Sequence, residues 1–439
     1  MARLLEENII NNKLIGDCMK KILIHMNIPE SGEYDIFHLT EPRKWNDVIV
    51  NKYNGGCPNV GNKLWFQAII SEITSDENEL VYYDSNMSID TINSEFDLVL
   101  APMANVFSSG YIDLLNHLSE HFEKIKIPVY VVACGVQTDS YDTLDSLIDA
   151  IKEPANRFIK SIYNTGGEFA LRGYFTKEFF KKLGYNSAVV TGCPSIYQFG
   201  LDYFDNFVDK KVDKKNFKPI FNGTLSKYIK LMKEYPLSEF IDQNCFYNIL
   251  NDKNFLINNS IKQLIKIYGY DELVVLSEER VKLFPDMICW MNYLKNKGFN
   301  FSIGERIHGN IMPILSGIPS MVIAHDSRTM EMAEFFNIPF TTPYEFENSN
   351  SIYDLYLNMD YSKFKTTYRE KYTKFEEFLK SIGIVSNINT NNDFMIGKDA
   401  NVICENSDQL VRIKDELLSK KIYYKTFEFV YNIVKKIKV

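Results

Sequence analysis

The chain has 439 residues, of which 45% are hydrophobic and 24% charged, and it carries a formal net charge of −8. This is the composition of a folded globular protein, and the length exceeds what one hydrophobic core usually supports, so two domains are expected. The acidic balance, with no basic stripe and no RNA-binding motif, argues against a nucleic-acid partner, and an acidic substrate would need locally clustered arginines. The seven cysteines are scattered and form no CxxC pair, which reads as reduced thiols in a cytosolic protein. The opening "MARLLEENIINNKLIGDCMKKILIHM" is charged throughout, unlike a signal peptide. No window approaches the roughly 18 apolar residues of a membrane span. A soluble, cytoplasmic protein is expected.

From about residue 96 the chain alternates short β-branched runs with helical spacing. "FDLVLAP" (96–102) predicts a strand and "YIDLLNHLSEHFEKI" (111–125) a helix; "PVYVVACG" (128–135) and "YDTLDSLIDAIK" (141–152) repeat the pair. "EFALRG" (168–173), "YFTKEFFKKLG" (174–184) and "SAVVTGCP" (187–194) predict strand, helix and strand. Alternation with short connections predicts a parallel, doubly wound sheet. The charged and aromatic "GLDYFDNFVDKKVDKKN" (200–216) reads as a linker. Beyond it come "FKPIFNG" (217–223), helices to about 268, a strand "ELVVLSE" (272–278), a helix "PDMICWMNYLKNKG" (285–298) and a strand "FNFSIGE" (299–305). Helical patterns over 351–382 and 408–436 close the chain, separated by the loop "VSNINTNND". The expected fold is α/β, with two Rossmann-like doubly wound domains facing a cleft: residues 1–205, residues 217–384 and a helical extension, 385–439.

The stretch "GERIHGNIMPILSGIPSMVIAHDSR" (304–328) concentrates titratable residues at the two ends of a βα unit. Glu305, Arg306 and His308 follow one predicted strand; His325, Asp326, Ser327 and Arg328 follow the next. In a parallel sheet both loops lie at one edge and lead into helix N-termini, which favour anions. Gly309 would let a ligand approach the backbone closely. The residues alone therefore predict an anion site with two arginines, a histidine able to give or take a proton, and Asp326 nearby. For either Arg306 or His308 alone the bland reading, an Arg306–Glu305 pair and a helix-capping His308, carries equal weight.

This stretch resembles the C-terminal motif of the polysaccharide pyruvyl transferases, with its G-x-R-x-H-G core and later G-I-P segment. "NVGNKLWFQAI" (59–69), "ACGVQ" (133–137) and "LRG…LGYNSAVVTGCPS" (171–195) are similar, in family order, to that family's N-x-G-[DN], G-x-Q and arginine-strand segments. The resemblance implies a fold similar to GT-B glycosyltransferases and transfer of pyruvyl from phosphoenolpyruvate, a co-substrate, onto two sugar hydroxyls as a ketal, with no cofactor. It assigns Arg172, Arg306 and Arg328, with Gly309 and Ser327, to the donor, and His308 as general acid. Asp326 is proposed as catalytic; Asp326, Glu305 and Asp139 are base candidates by position. Asn59, Gly61, Asn62, Gln137 and Asp139 are acceptor-side candidates in the first domain. The acceptor is a sugar or lipid-linked oligosaccharide. Some 50 residues before the N-x-G-N motif, and the C-terminal extension, exceed what the family pattern needs.

Two alternatives share these residues: a GT-B-like glycosyltransferase using a nucleotide sugar, and a non-catalytic glycan-binding relative. Donor preference separates the first from the pyruvyl transferase. His117 and His121 stand at metal-ligand spacing, yet Leu114, Leu115, Leu118 and Phe122 mark an ordinary amphipathic helix, and no metal is expected. Cys134 and Cys193 lack a partner base and read as small buried residues. The glycines of "NGGCPNVGN" match neither a Walker A nor a dinucleotide motif. The lysine-rich tail (412–439) reads as a helix docked on the body, with peripheral contact to an anionic membrane as the alternative.

Overall fold

The computed structural model describes residues 19–25, 60–83, 86–207, 209–243, 261–284 and 287–386, together with residue 413. These form two six-stranded sheets in which every neighbouring pair of strands is parallel. The first contains β1 (Lys20–Ile24), β2 (Asn78–Tyr82), β3 (Leu98–Pro102), β4 (Val129–Cys134), β5 (Glu168–Leu171) and β6 (Val189–Val190) in the order β2-β1-β3-β4-β5-β6. Its helices are α1 (Val60–Ile73), α2 (Ile89–Glu95), α3 (Ile112–Phe122), α4 (Leu144–Asn164) and α5 (Tyr174–Lys182).

The second sheet contains β7 (Pro219–Asn222), β8 (Glu239–Ile241), β9 (Val281–Lys282), β10 (Phe301–Gly304), β11 (Ser320–Ile323) and β12 (Phe340–Thr341), ordered β12-β11-β10-β7-β8-β9. Helices α6 (Leu225–Glu234), α7 (Ile261–Tyr268), α8 (Tyr270–Ser277), α9 (Met287–Lys297), α10 (Ile307–Leu315), α11 (Ser327–Phe336), α12 (Pro343–Glu347), α13 (Ile352–Asn358) and α14 (Ser362–Ser381) accompany it. Both sheets reverse winding direction internally, the second between β7 and β10. Ligands of open α/β sheets bind at such reversal points, at the carboxyl ends of the strands.

Central parallel strands are covered on both faces and so carry continuous apolar runs; LVLAP of β3 and SMVI of β11 are buried at every position. Side chains of the first sheet still divide by face. Leu23, Val99, Val131 and Phe169 enter a core that lies within the first domain, whereas Ile22, Ile24, Leu98, Leu100 and Val132 face another. This second core continues through α1 into Phe221, Ile303, Ile311 and Val322 of the other domain. The domains therefore share apolar packing.

Four sequence expectations change. "ELVVLSE" is helical, within α8: Leu273, Val275 and Leu276 are buried, and Asp271 and Glu272 occupy the first turn, where the helix dipole favours acids. The strand follows at Val281–Lys282 instead. The stretch before the N-x-G-N motif is no mere extension, because it supplies β1, paired with both β2 and β3. Five residues of "KKILI" were too short to announce a central strand. The strand expected over 187–194 narrows to Val189–Val190. Finally, α14 lies against the first domain: Tyr368 Oη donates to Gly200 O at 2.9 Å, Tyr197 stacks on Phe375, and Lys20 Nζ donates to Ile382 O at 3.3 Å. The helix expected over 408–436 falls outside the described residues, Ile413 apart. Among the described residues no helix is long and apolar enough to cross a membrane.

Candidate functional site

At the reversal point of the second sheet, β10 ends at Gly304 and Arg306 is the N-cap of α10. A pair of buried asparagines fixes this turn. Asn222, closing β7, accepts from Arg306 N–H through Oδ1 (2.9 Å) and donates to Asn310 Oδ1 (3.2 Å). Asn310 in turn donates to Gly304 O (2.9 Å) and Arg306 O (3.0 Å). Asn222 fills the space beside two glycines: a Cβ on Gly309 would lie 2.6 Å from Asn222 Oδ1 and 2.6 Å from Gln243 Nε2. Gly309 thus admits a neighbouring side chain rather than a ligand, a correction to its expected donor role. With its backbone so held, the Arg306 guanidinium makes no hydrogen bond or ion pair among the described residues. Glu305 does not pair with it; its carboxylate pairs with Lys227.

Two residues further, in the first turn of α10, His308 is 6% exposed. Burial, with the charges of Arg172 and Arg328, lowers its pKa to about 3, so the imidazole is neutral. Its Nε2 is 3.9 Å from Cys193 Sγ, which lies 3.2 Å from Ser195 Oγ. His308 therefore meets the first domain directly.

Arg172 comes from the end of β5 and is 3% exposed. Ala133, at a register shift in β4, holds a left-handed φ of 58°, and Gly135 follows. A Cβ on Gly135 would come within 3.1 Å of Arg172 Cδ, so the glycine of "ACGVQ" leaves the path of the arginine stem open. Arg172 Nη1 donates to Asn105 Oδ1 at 3.0 Å, whereas Nε and Nη2, although buried, have no hydrogen-bond partner among the described residues. Burial pulls its pKa below the usual guanidinium value, as does nearby Arg328, while Cys193 and Glu331 oppose. A buried cation with two unused donor positions is costly unless an anion completes it.

From β11 the chain enters α11 through Asp326. Its carboxylate accepts from Thr329 N–H (2.9 Å) and from Arg328 Nε (2.6 Å), and lies 3.7 Å from His325 Nε2. Burial pushes this carboxyl up, but Arg328 and the Thr329 hydrogen bond outweigh it and hold its pKa below the ordinary value. Asp326 is thus a helix cap and the holder of Arg328, with both oxygens occupied, which speaks against the catalytic role expected for it. Ser327 is likewise committed: its N–H donates to Thr138 O (3.0 Å) and its Oγ accepts from Thr138 N–H (2.9 Å). It staples the two domains rather than offering groups to a ligand.

The remaining candidates divide. Asp139 is exposed, in the loop containing Thr138. Gln137 is held there by its backbone, donating to Phe107 O at 2.9 Å. Gly61 is buried near the start of α1, which touches both α10 and residues 194–196. Asn59 lies outside the described residues, and the Asn62 side chain does too. Away from this seam, His121 packs on His25 with ring centroids 4.9 Å apart. No described group of three His, Cys, Asp or Glu is arranged to hold a metal ion.

Two doubly wound domains that bring Arg172 from one sheet together with His308 and Arg328 from the other define a GT-B-like protein with a cluster of basic side chains at its seam. The family model described as polysaccharide pyruvyl transferase matches residues 13–327, and the chain belongs to that family of transferases acting on polysaccharide. No curated protein matches the sequence. Solved structures similar to it include an uncharacterised protein of Klebsiella pneumoniae (13% identity, 77% of this chain and 98% of that one, TM-score 0.38). Two others are a putative UDP-N-acetylglucosamine 2-epimerase of Listeria monocytogenes (10%, 83% and 97%, 0.38) and the S. aureus MnaA–UDP complex (12%, 84% and 98%, 0.39).

Proposed function

We propose that this chain transfers the pyruvyl group of phosphoenolpyruvate to two hydroxyls of a sugar in a polysaccharide or its lipid-linked precursor, forming a ketal. The observation that carries the reading is Arg172: a buried guanidinium with Nε and Nη2 unpartnered, beside Arg328 and His308. A donor bearing a carboxylate and a phosphate supplies two anionic groups for forked guanidinium donors. Arg172 and Arg328 take one part of that charge, and Arg306, free at the neighbouring turn, takes the other.

The chemistry needs a proton on the vinyl carbon, bond formation between one sugar oxygen and the central carbon, departure of phosphate, and attack by the second hydroxyl. In this reading His308, once protonated, delivers the first proton. The two hydroxyl protons released later restore the imidazolium and protonate the phosphate, so the sum is donor plus diol to ketal plus phosphate. Asp326 and Glu305 are committed to Arg328 and Lys227, which leaves exposed Asp139 and the departing phosphate to accept a hydroxyl proton.

Calorimetry with phosphoenolpyruvate beside a panel of UDP-sugars tests the donor. Saturable phosphoenolpyruvate binding, lost in Arg306→Ala but retained in part by His308→Ala while turnover disappears, is the expected pattern. Binding of a UDP-sugar in preference would sink the pyruvyl reading and favour a glycosyltransferase.

A further inference from the structure

One buried carboxylate has no part in the chemistry above. Glu331 lies on α11 of the second domain and is 2% exposed, yet its partners belong to the first domain. Its Oε1 accepts from Thr176 N–H at 2.6 Å and its Oε2 from Thr176 Oγ1 at 2.9 Å. Thr176 stands in the first turn of α5, whose N-cap, Gly173, has no side chain to satisfy the free N–H groups. A Cβ on Gly173 would fall 2.3 Å from Glu331 Cγ, so the glycine next to Arg172 is the opening through which this foreign carboxylate reaches the helix. Thr176 Oγ1 also accepts from Val136 N–H (3.1 Å), tying the same contact to the strand end that shapes the path of Arg172.

The rest of α11 repeats the attachment at helical spacing. Ser327 is bound to Thr138, Glu334 accepts from Tyr141 Oη at 2.7 Å, and Phe335 covers Gly192, whose φ is +83°. Residues 327, 331 and 334–335 lie on one face, and this face docks on the first domain. Arg328 leaves the first turn of the same helix.

We infer that Glu331 is a positioning residue of the anion site: by capping α5 across the domain seam it sets the spacing between Arg172 of the first domain and Arg328 of the second. This inference rests on the donor reading proposed above for the identity of the anion. Two guanidinium groups recognise one small dianion only if their separation is fixed, and an anion that must first assemble them binds more weakly. Burial lifts the Glu331 pKa to about 7, against Thr176 and Arg172, which lower it, and with Glu334 of its own helix, which raises it. Cys134 and Tyr141 are the other titratable groups that sense it. The carboxyl therefore changes charge near neutrality while its contacts to Thr176 can persist.

The test uses the full chain and phosphoenolpyruvate, with affinity by calorimetry and backbone hydrogen exchange over 174–182 and 324–328. Glu331→Ala is expected to weaken binding about tenfold or more and to speed exchange in both segments, since it leaves Thr176 N–H buried and unmatched. Glu331→Gln keeps an acceptor for Thr176 N–H and is expected to stay within about threefold of the parent, with a flatter pH dependence of affinity between pH 6 and 8. The inference is overturned if Glu331→Ala binds as the parent does while α5 exchanges faster, or if Glu331→Gln is as weak as Glu331→Ala. Where Glu331→Ala does not fold, Thr176→Val is read by the same measures. Should the parent itself not bind phosphoenolpyruvate, the donor reading fails separately. Exchange then decides: loosening of both segments upholds the coupling between domains, and loosening confined to α5 overturns it.

Discussion

His308 cannot act as an acid in the state described, because burial and the charges of Arg172 and Arg328 keep its pKa at about 3. The drop from 6.5 to about 3 disfavours the imidazolium by about 5 kcal/mol. Burial is the largest cause and remains in the complex; the other two are cations that a bound anion would neutralise while itself attracting the imidazolium, so donor binding should carry a proton into the site. If the anion restores only the ordinary value of 6.5, His308 goes from essentially unprotonated to about three-quarters protonated at pH 6, about one-quarter at pH 7 and almost none at pH 8. Phosphoenolpyruvate titrations by calorimetry, in buffers of different ionisation enthalpy, report this uptake as the slope of apparent enthalpy. The donor phosphate and Glu331 also exchange protons, so the informative quantity is the difference between the parent and His308→Gln. About 0.7 proton per site should vanish in the variant at pH 6 and much less at pH 8. Equal slopes for the two proteins at pH 6 would refute the coupling, and with it the view that the donor arms its own acid.

Two further outcomes follow from the packing. Gly309→Ala forces a methyl into Asn222 and Gln243, so it should cost about 1–3 kcal/mol by overpacking and, because Asn222 holds Arg306 N–H, also weaken donor binding; thermal denaturation with an unchanged midpoint would show that the turn yields easily. Arg172→Met removes a buried cation with two unpartnered nitrogens, so the ligand-free protein should melt no lower than the parent while stabilisation by phosphoenolpyruvate disappears; a marked fall in the ligand-free midpoint would contradict the idea that this charge is a burden until an anion arrives.

Much of this site was legible because βα alternation reports topology, and topology brings strand ends together. Arg306 and His308 follow β10, and Arg328 follows β11, as the spacing of "GERIHGN" and "HDSR" requires in a parallel sheet. Arg172 joined them only through family resemblance, since nothing in "EFALRG" says which domain its arginine will face. What misled was proximity in sequence. Asp326 stands beside the chemistry, yet "DSRT" is also an N-cap with its third helical residue a threonine; the capping box takes Oδ1 of the carboxylate and Arg328 takes Oδ2. Sequence adjacency suggests Glu305 as a partner for Arg306, but neighbours in sequence at a strand end point apart, and Lys227 takes it.

The missed residues, Asn222, Asn310 and Glu331, are polar groups on buried faces, and their meaning depends on what the other domain brings. A signal existed for Glu331: it interrupts the stripe Ser327–Glu331–Phe335, where helical spacing puts a carboxylate on the side that must be buried. An acid there demands a donor, and a helix N-terminus lacking a capping side chain supplies one. Gly173 is that deficit, visible in "RGYFT" only once the two helices are known to meet. The chain as a whole carries a formal net charge of −8, so its cations must be gathered locally. Domain docking through carboxylates such as Glu331 holds Arg172 and Arg328 at one seam although their charges oppose each other, and the Glu331 carboxylate partly offsets that repulsion at Arg172. The same contacts that hold the domains together therefore also limit how far those arginines can separate.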